Sequence, residues 1–248
     1  MIDEMKILLK KVLVLFSSLL FVPFCYGGPP FYTDDPEPVE YRHWEYYISS
    51  MDLIQPDFIT GTLPHFEMNY GIISNCQFHM ELPMNYNLIQ HNEFEYGYSN
   101  TELGFKYRFF QSRDKSVQAG AFPIFEIPTV KNTYFSNNIQ VYIPVWIQKS
   151  WEKVTTYGGC GYWINPGNNN KNWLYLGWEV QYDFSGSFNL GCELFYKTAS
   201  TADSHSFAGF NLGGSINFSD KFHLIFSAGH SITKDKTFMS YLGVLWTI

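Results

Sequence analysis

From about residue 41 to the end, apolar and polar residues alternate with a period of two. Over 173–184, Leu174, Leu176, Trp178, Val180, Tyr182 and Phe184 share one face, and Tyr175, Gly177, Glu179, Gln181 and Asp183 share the other. Over 76–87, Phe78, Met80, Leu82, Met84 and Tyr86 oppose Gln77, His79, Glu81, Pro83 and Asn85. Over 101–109, Leu103, Phe105, Tyr107 and Phe109 oppose Glu102, Gly104, Lys106 and Arg108. Over 188–197, Leu190, Cys192, Leu194 and Tyr196 oppose Asn189, Gly191, Glu193 and Lys197. Side chains along a strand point to opposite faces in turn, whereas a helical stripe repeats at three and four. No segment sustains the helical repeat. The pattern predicts about twelve strands of about ten residues, the length a tilted strand needs to cross a bilayer. They are expected near 41–52, 62–71, 76–87, 98–110, 116–128, 139–150, 154–164, 172–184, 187–198, 206–218, 222–232 and 239–248. Pro123 interrupts the fifth, and the seventh and tenth are rich in Gly.

The connections alternate too. Those at 71–75, 111–115, 151–153, 185–186 and 219–221 are short, and those at 53–61, 87–97, 129–138, 165–171, 199–205 and 233–238 are longer. Bacterial barrels have short periplasmic turns and long outer loops. The parity puts every short turn at one end, with the N-terminus. In the last run, Leu242, Val244, Trp246 and Ile248 alternate with Tyr241, Gly243, Leu245 and Thr247, like the terminal strand of outer-membrane barrels. Such barrels usually end in Phe or Trp; this chain ends in Ile, with Trp246 two residues earlier.

A soluble antiparallel sandwich also alternates. Its outer face, however, is rich in Lys, Glu, Asp and Thr, and here the polar face carries Gly, Asn, Gln, Tyr and scattered charge. Composition separates the two readings further. Aromatic residues make up 19% and charged residues 16%, against about 25% charged in soluble domains. A mean hydropathy of -0.15 is low for a bundle of membrane helices. The expected fold class is all-β: a transmembrane antiparallel β-barrel of about twelve strands over 41–248.

Residues 1–27 read as a cleaved secretory signal, with Lys6, Lys10 and Lys11 before an apolar core over 12–24 and a Cys25-Tyr26-Gly27 cleavage site. Lipidation at Cys25 is the rival reading. Residues 28–40 hold four prolines and four acids and form an arm rather than a strand. The arm is either an extended periplasmic leader, the simpler reading, or a segment folded into the lumen. A net charge of -7 disfavours nucleic acid. The cysteines show no zinc spacing, and after signal removal three remain, so no disulfide framework is implied.

On the barrel reading the polar face lines a lumen. Its transport candidates are Glu67, Glu81, Glu102, Lys106, Arg108, Glu126, Glu179, Gln181, Glu193 and Lys197, with His65, His79 and Gln148 on the same face. These groups either line a path for a solute or fill the interior with ion pairs. The acids Asp34, Asp35, Glu37 and Glu40 are placed to dock on Lys106 or Arg108 as a plug. Phe58, Phe94, Tyr96, Tyr98, Tyr134 and Phe135 lie near loop tips, as an interfacial girdle or as a mouth for aromatic or acyl solutes. His223, Ser227, His230 and Ser231 share a late strand, but no acid is tied to them. No catalytic, cofactor or metal motif is found, so no enzyme, cofactor or metal is expected.

Thr33-Asp34-Asp35-Pro36-Glu37-Pro38-Val39-Glu40 with His43-Trp44-Glu45 carries a resemblance. So do Thr101-Glu102-Leu103-Gly104 with Lys106-Tyr107-Arg108, Gly158-Gly159 with Gly161 to Gly167, and Gly209-Phe210-Asn211 with Gly213-Gly214. Together they resemble the "meta-pathway of phenol degradation" family of outer-membrane barrels. The resemblance spans nearly the whole chain after the signal. It implies an outer-membrane location and transport of hydrophobic or aromatic compounds, and it assigns no site residues. The expectation is a monomeric outer-membrane barrel that passes a small solute. Its partners are lipid, the barrel-assembly machinery at the last strand, and a solute the sequence does not identify. The alternatives are a closed barrel with a structural or surface-interaction role and, last, a membrane-embedded hydrolase.

Overall fold

The computed structural model describes residues 28–56, 58–89, 93–129 and 138–248. The signal-like segment 1–27 and the loop residues Tyr134 and Phe135 lie outside the described residues. Twelve strands are described: β1 Trp44–Gln55, β2 Phe58–Ile73, β3 Cys76–Ile89, β4 in two stretches (Glu93–Tyr98 and Thr101–Gln111), β5 in two stretches (Val117–Ala121 and Ile124–Ile127), β6 Gln140–Ser150, β7 Val154–Ile164, β8 Trp173–Ser185, β9 Phe188–Lys197, β10 Phe207–Asn217, β11 Phe222–Ser231 and β12 Phe238–Thr247.

Each strand pairs antiparallel with its neighbours in sequence, and β1 pairs with β12 from Glu45↔Thr247 to Ile54↔Phe238, which closes the sheet. Closure leaves no free edge, the condition for a sheet to span lipid. The β5 break falls at Phe122-Pro123, because proline has no N–H for the ladder. Flanking bonds hold the strand there: Phe122 N–H donates to Pro144 O at 3.3 Å, and Phe105 N–H donates to Pro123 O at 3.1 Å. The β4 break is bridged by Ser99 N–H donating to Pro83 O.

Burial is inside out relative to a soluble protein. On β8, Leu174, Leu176, Trp178 and Val180 are exposed while Tyr175, Glu179 and Gln181 are buried. The outward apolar face of this and the other strands meets lipid, and the inward face is shielded by the wall. Aromatic side chains cluster beside the short-turn end. Trp44 packs on Tyr46 and Tyr70, Phe184 on Phe188, and Phe218 on Phe222. Rings at that level suit the lipid headgroup boundary. No helix among the described residues is long and apolar enough to cross a membrane.

The five turns expected to be short lie together at one end, at 74–75, 112–116, 151–153, 186–187 and 218–221. At the other end, the connections expected to be long at 53–61 and 87–97 are shortened to 56–57 and 90–92 by ladders that run on to Gln55↔Phe58 and Ile89↔Glu93. In the 112–116 turn, Asp114 accepts hydrogen bonds from the Ser112 and Ser116 hydroxyls and the Ser116 N–H. These donors, Ser112 first, hold its carboxyl at about 2. At the other end, the β1–β2 hairpin runs further out than its pattern implies, pairing up to Gln55↔Phe58. Ile54, Phe58, Ile59 and Thr60 are strand-favouring residues that extend the ladder into the expected loop.

The interior is layered. Towards the long-loop end, Phe122, Ile124, Tyr142, Trp146, Tyr175, Phe195 and Met239 form a buried apolar cluster, with Trp163, Trp173 and Phe207 against it. Tyr47, Ile225, Tyr241 and Leu245 form a smaller one. Most of the remaining inward positions carry polar residues or glycine.

Candidate functional site: the lumen and its N-terminal arm

Residues 28–40 run inside the barrel rather than away from it. Seven strands hold them. Ser227 on β11 donates its hydroxyl to Pro30 O at 2.7 Å. Glu193 on β9 accepts from the backbone N–H of Tyr32 at 3.3 Å and of Thr33 at 2.5 Å. The Thr33 hydroxyl lies 3.1 Å from the Tyr175 hydroxyl on β8. Lys106 on β4 lies 2.9 Å from Asp34 and 3.4 Å from Asp35. Glu37 accepts from Gln118 on β5 at 3.0 Å and from Gln148 on β6 at 3.4 Å, and it lies 3.9 Å from Arg108. Val39 N–H donates to Gln77 on β3 at 2.8 Å. Thr33, Asp35 and Pro36 are fully buried. An arm with four prolines cannot join the wall as a strand, so its backbone groups are satisfied by lumen side chains instead.

Two inward glycines make the passage possible. A side chain on Gly177 would occupy the position of the Thr33 hydroxyl, and one on Gly71 would strike the Glu40 carbonyl.

Beside the arm, four carboxylates stand in one cross-strand row. The register pairs Glu67 with Glu81, Glu81 with Glu102, and Glu102 with Glu126. Neighbouring strands are about 4.8 Å apart, and like charges set directly opposite repel. The two histidines one step along the strands answer part of that charge. His65 Nε2 lies 3.1 Å from Glu81, and His79 lies 3.4 Å from Glu81 and 3.6 Å from Glu67. Glu126 accepts from Asn100 at 2.7 Å. Among the described residues, no Lys or Arg lies within 4 Å of Glu102 or Glu126.

On the opposite wall Glu179 faces Glu193 directly. Glu193 accepts four hydrogen bonds, two from the arm and the others from Tyr175 and Asn211. Glu179 is 0% exposed, and neither of its oxygens has a hydrogen-bond partner. Gln181 lies one inward step further along β8, 3.5 Å from Asp183. Lys197 sits higher, its ammonium 5.9 Å from the Trp173 ring and 5.2 Å from that of Phe207. Arg108 is engaged near the short-turn end by Gln118 at 2.6 Å and Asn75 at 3.1 Å.

A cavity of about 330 Å³ remains between the arm and the wall at the short-turn end. Asp35, Glu37, Glu45, Glu67, Asn69 and Lys106 are among its lining residues. The late-strand group does not assemble. His223, Ser227 and Ser231 are buried, His230 faces outward, and Ser227 is engaged by the arm. Sequence spacing did not reveal the inner aromatic cluster, because Trp146 and Phe195 occupy inward positions expected to be polar.

Solved structures similar to this barrel include channels and porins. An outer-membrane channel from Pseudomonas putida F1 matches with a TM-score of 0.70 at 11% identity, covering 86% of this chain and 98% of the channel. This is the fold of outer-membrane channels. The NanC porin matches with a TM-score of 0.58 at 7% identity, covering 81% of this chain and 98% of the porin. The KdgM porin, also solved in complex with disordered oligogalacturonate, matches with a TM-score of 0.56 at 11% identity over 81% of this chain and 98% of its own. No family model matches the sequence, and no curated protein does either.

Proposed function

We propose that the protein is a monomeric channel of the bacterial outer membrane that passes a small hydrophobic or aromatic solute, with residues 28–40 as a plug at the periplasmic, short-turn end. The observation that carries this is the arm itself: the centre of a closed barrel is filled by a separate segment held through side-chain contacts. A segment held in this way can leave without breaking the wall, whereas a core of wall side chains cannot.

Residues 1–27 serve as the export signal, and β12, with Leu242, Val244 and Trp246 outward, is the strand offered to the barrel-assembly machinery. Glu67, Glu81, Glu102 and Glu126 bias the path against anions, as acidic rings do in other pores. Glu179, Gln181 and Glu193 line the facing wall, Lys106 and Arg108 bind the plug, and Lys197 stands at the aromatic mouth. The stacked rings there, Tyr142 on Trp163 at 4.7 Å and Trp163 on Trp173 at 5.1 Å, offer flat apolar surfaces to an aromatic solute. The shared fold with the Pseudomonas channel supports membership of the phenol-pathway family of barrels.

The test is planar-bilayer recording with protein selected for heat-modifiable gel mobility. Cation-preferring steps, with a reversal potential that moves towards anions in Glu102→Gln, are expected. Silence from folded barrel, both intact and lacking residues 28–40, contradicts the channel reading.

A further inference from the structure

We propose that His65, Glu67, His79 and Glu81 form a binding site for one divalent transition-metal ion of zinc type on the lumen wall. Glu67, His79 and Glu81 each present a ligand atom, all within 4.8 Å of one another. His65 Nε2 stands outside that group but 3.1 Å from Glu81, and would close in as the fourth ligand on binding. Around a tetrahedral zinc, ligands at 2.0–2.1 Å stand about 3.3 Å apart. The separation of His79 Nε2 from Glu81, 3.4 Å, is close to that value.

The outer contacts orient the set. His79 Nδ1 lies 2.8 Å from Asn69 Oδ1, an acceptor, which puts the proton on Nδ1 and turns the Nε2 lone pair inward. That Nε2 is buried, faces Glu81 and has no hydrogen-bond partner. The same Asn69 donates its amide N–H to Glu67 at 2.8 Å, so one side chain fixes two ligands. His65 Nδ1 is 3.2 Å from the Thr62 hydroxyl, again leaving Nε2 inward. The Phe122 ring packs edge-on against the His79 imidazole at 5.0 Å and limits its rotation. Ligating histidines usually have their other nitrogen held in this way. A cation also offsets the repulsion along the carboxylate row. Two imidazoles with two carboxylates suit zinc, nickel or copper and not magnesium or calcium. Glu67 and Asn69 line the cavity, which gives the ion a route in.

The test is zinc titration of the detergent-solubilised full chain, stripped with chelator, against a chromophoric zinc indicator. This reads binding without conductance, so it stands apart from the channel reading. The expected result is one zinc per chain, not displaced by millimolar magnesium, and a cobalt complex with tetrahedral visible absorption. His79→Ala and Glu81→Gln should each weaken zinc binding at least 100-fold. Asn69→Leu should weaken it about 10–100-fold, as loss of an outer contact does. The outward His230→Ala should leave it unchanged, with folding checked by heat-modifiable mobility. No binding, equal competition by magnesium, or unchanged affinity in folded His79→Ala overturns the proposal.

Discussion

The Lys106 ammonium lies 2.9 Å from the Asp34 carboxylate and 3.4 Å from that of Asp35, with Lys106 itself only 4% exposed. One cation of the wall therefore holds two consecutive acids of the arm. Buried ions of this kind are expensive to separate, because the partner left behind stays uncompensated in a low-dielectric site. The contact ties a property of the wall to the position of the arm.

Lys106→Met leaves Asp34 and Asp35 without their cation. Breaking a buried pair from one side costs about 3–5 kcal/mol. The arm is expected to leave the lumen, read as protease cleavage within residues 28–40 of a barrel that otherwise resists digestion. Adding Asp34→Asn and Asp35→Asn to Lys106→Met should restore protection, since no charge is then stranded. Equal protection of the arm in Lys106→Met and the parent protein would count against the pair as the anchor.

Gly177→Val displaces the arm without touching any charge. A side chain at Gly177 falls where the Thr33 hydroxyl sits, and Gly177 is on the inward face of β8. Thr33 must then shift, and its hydrogen bonds to Glu193 and Tyr175 break. A cysteine placed at Thr33 should react with a water-soluble maleimide at least tenfold faster in the Gly177→Val background. An unchanged rate would mean the arm tolerates the added bulk.

The lipid face makes a separate prediction. Val180 is 48% exposed at the middle of β8, between Glu179 and Gln181, which face inward. Val180→Arg puts a charge towards the bilayer centre and should destabilise the barrel by about 2–4 kcal/mol. Urea unfolding in lipid vesicles measures this directly. A change under about 0.5 kcal/mol would place Val180 away from lipid, within the range of ordinary surface substitutions.

The wall was readable from the sequence because its signal is local. The alternation over Trp173–Ser185 sets which face meets lipid, and the structure follows it residue by residue. The twelve strands fall within a few residues of their expected places, apart from the longer β1–β2 and β3–β4 hairpins and the breaks at Ser99-Asn100 and Phe122-Pro123. The lumen was less readable, because its groupings depend on register between strands. Glu67 and Glu81 are fourteen positions apart in sequence and directly opposite in the sheet. The spacing rules for metal and catalytic motifs describe one helix or one turn, and they do not see such a pair. Trp146 and Phe195 are apolar at inward positions, so a polar-inside rule passes over them. The path of the arm depends on contacts from β3 to β11, which no local pattern encodes.

The most direct test of the central claim compares single-channel conductance of the full chain with that of a chain lacking residues 28–40, both from protein with heat-modifiable mobility. If the arm is the plug of a channel, the deletion produces larger and longer-lived steps, and Lys106→Met moves the full chain in the same direction. Equal conductance from the two proteins, or silence from both, would contradict the account.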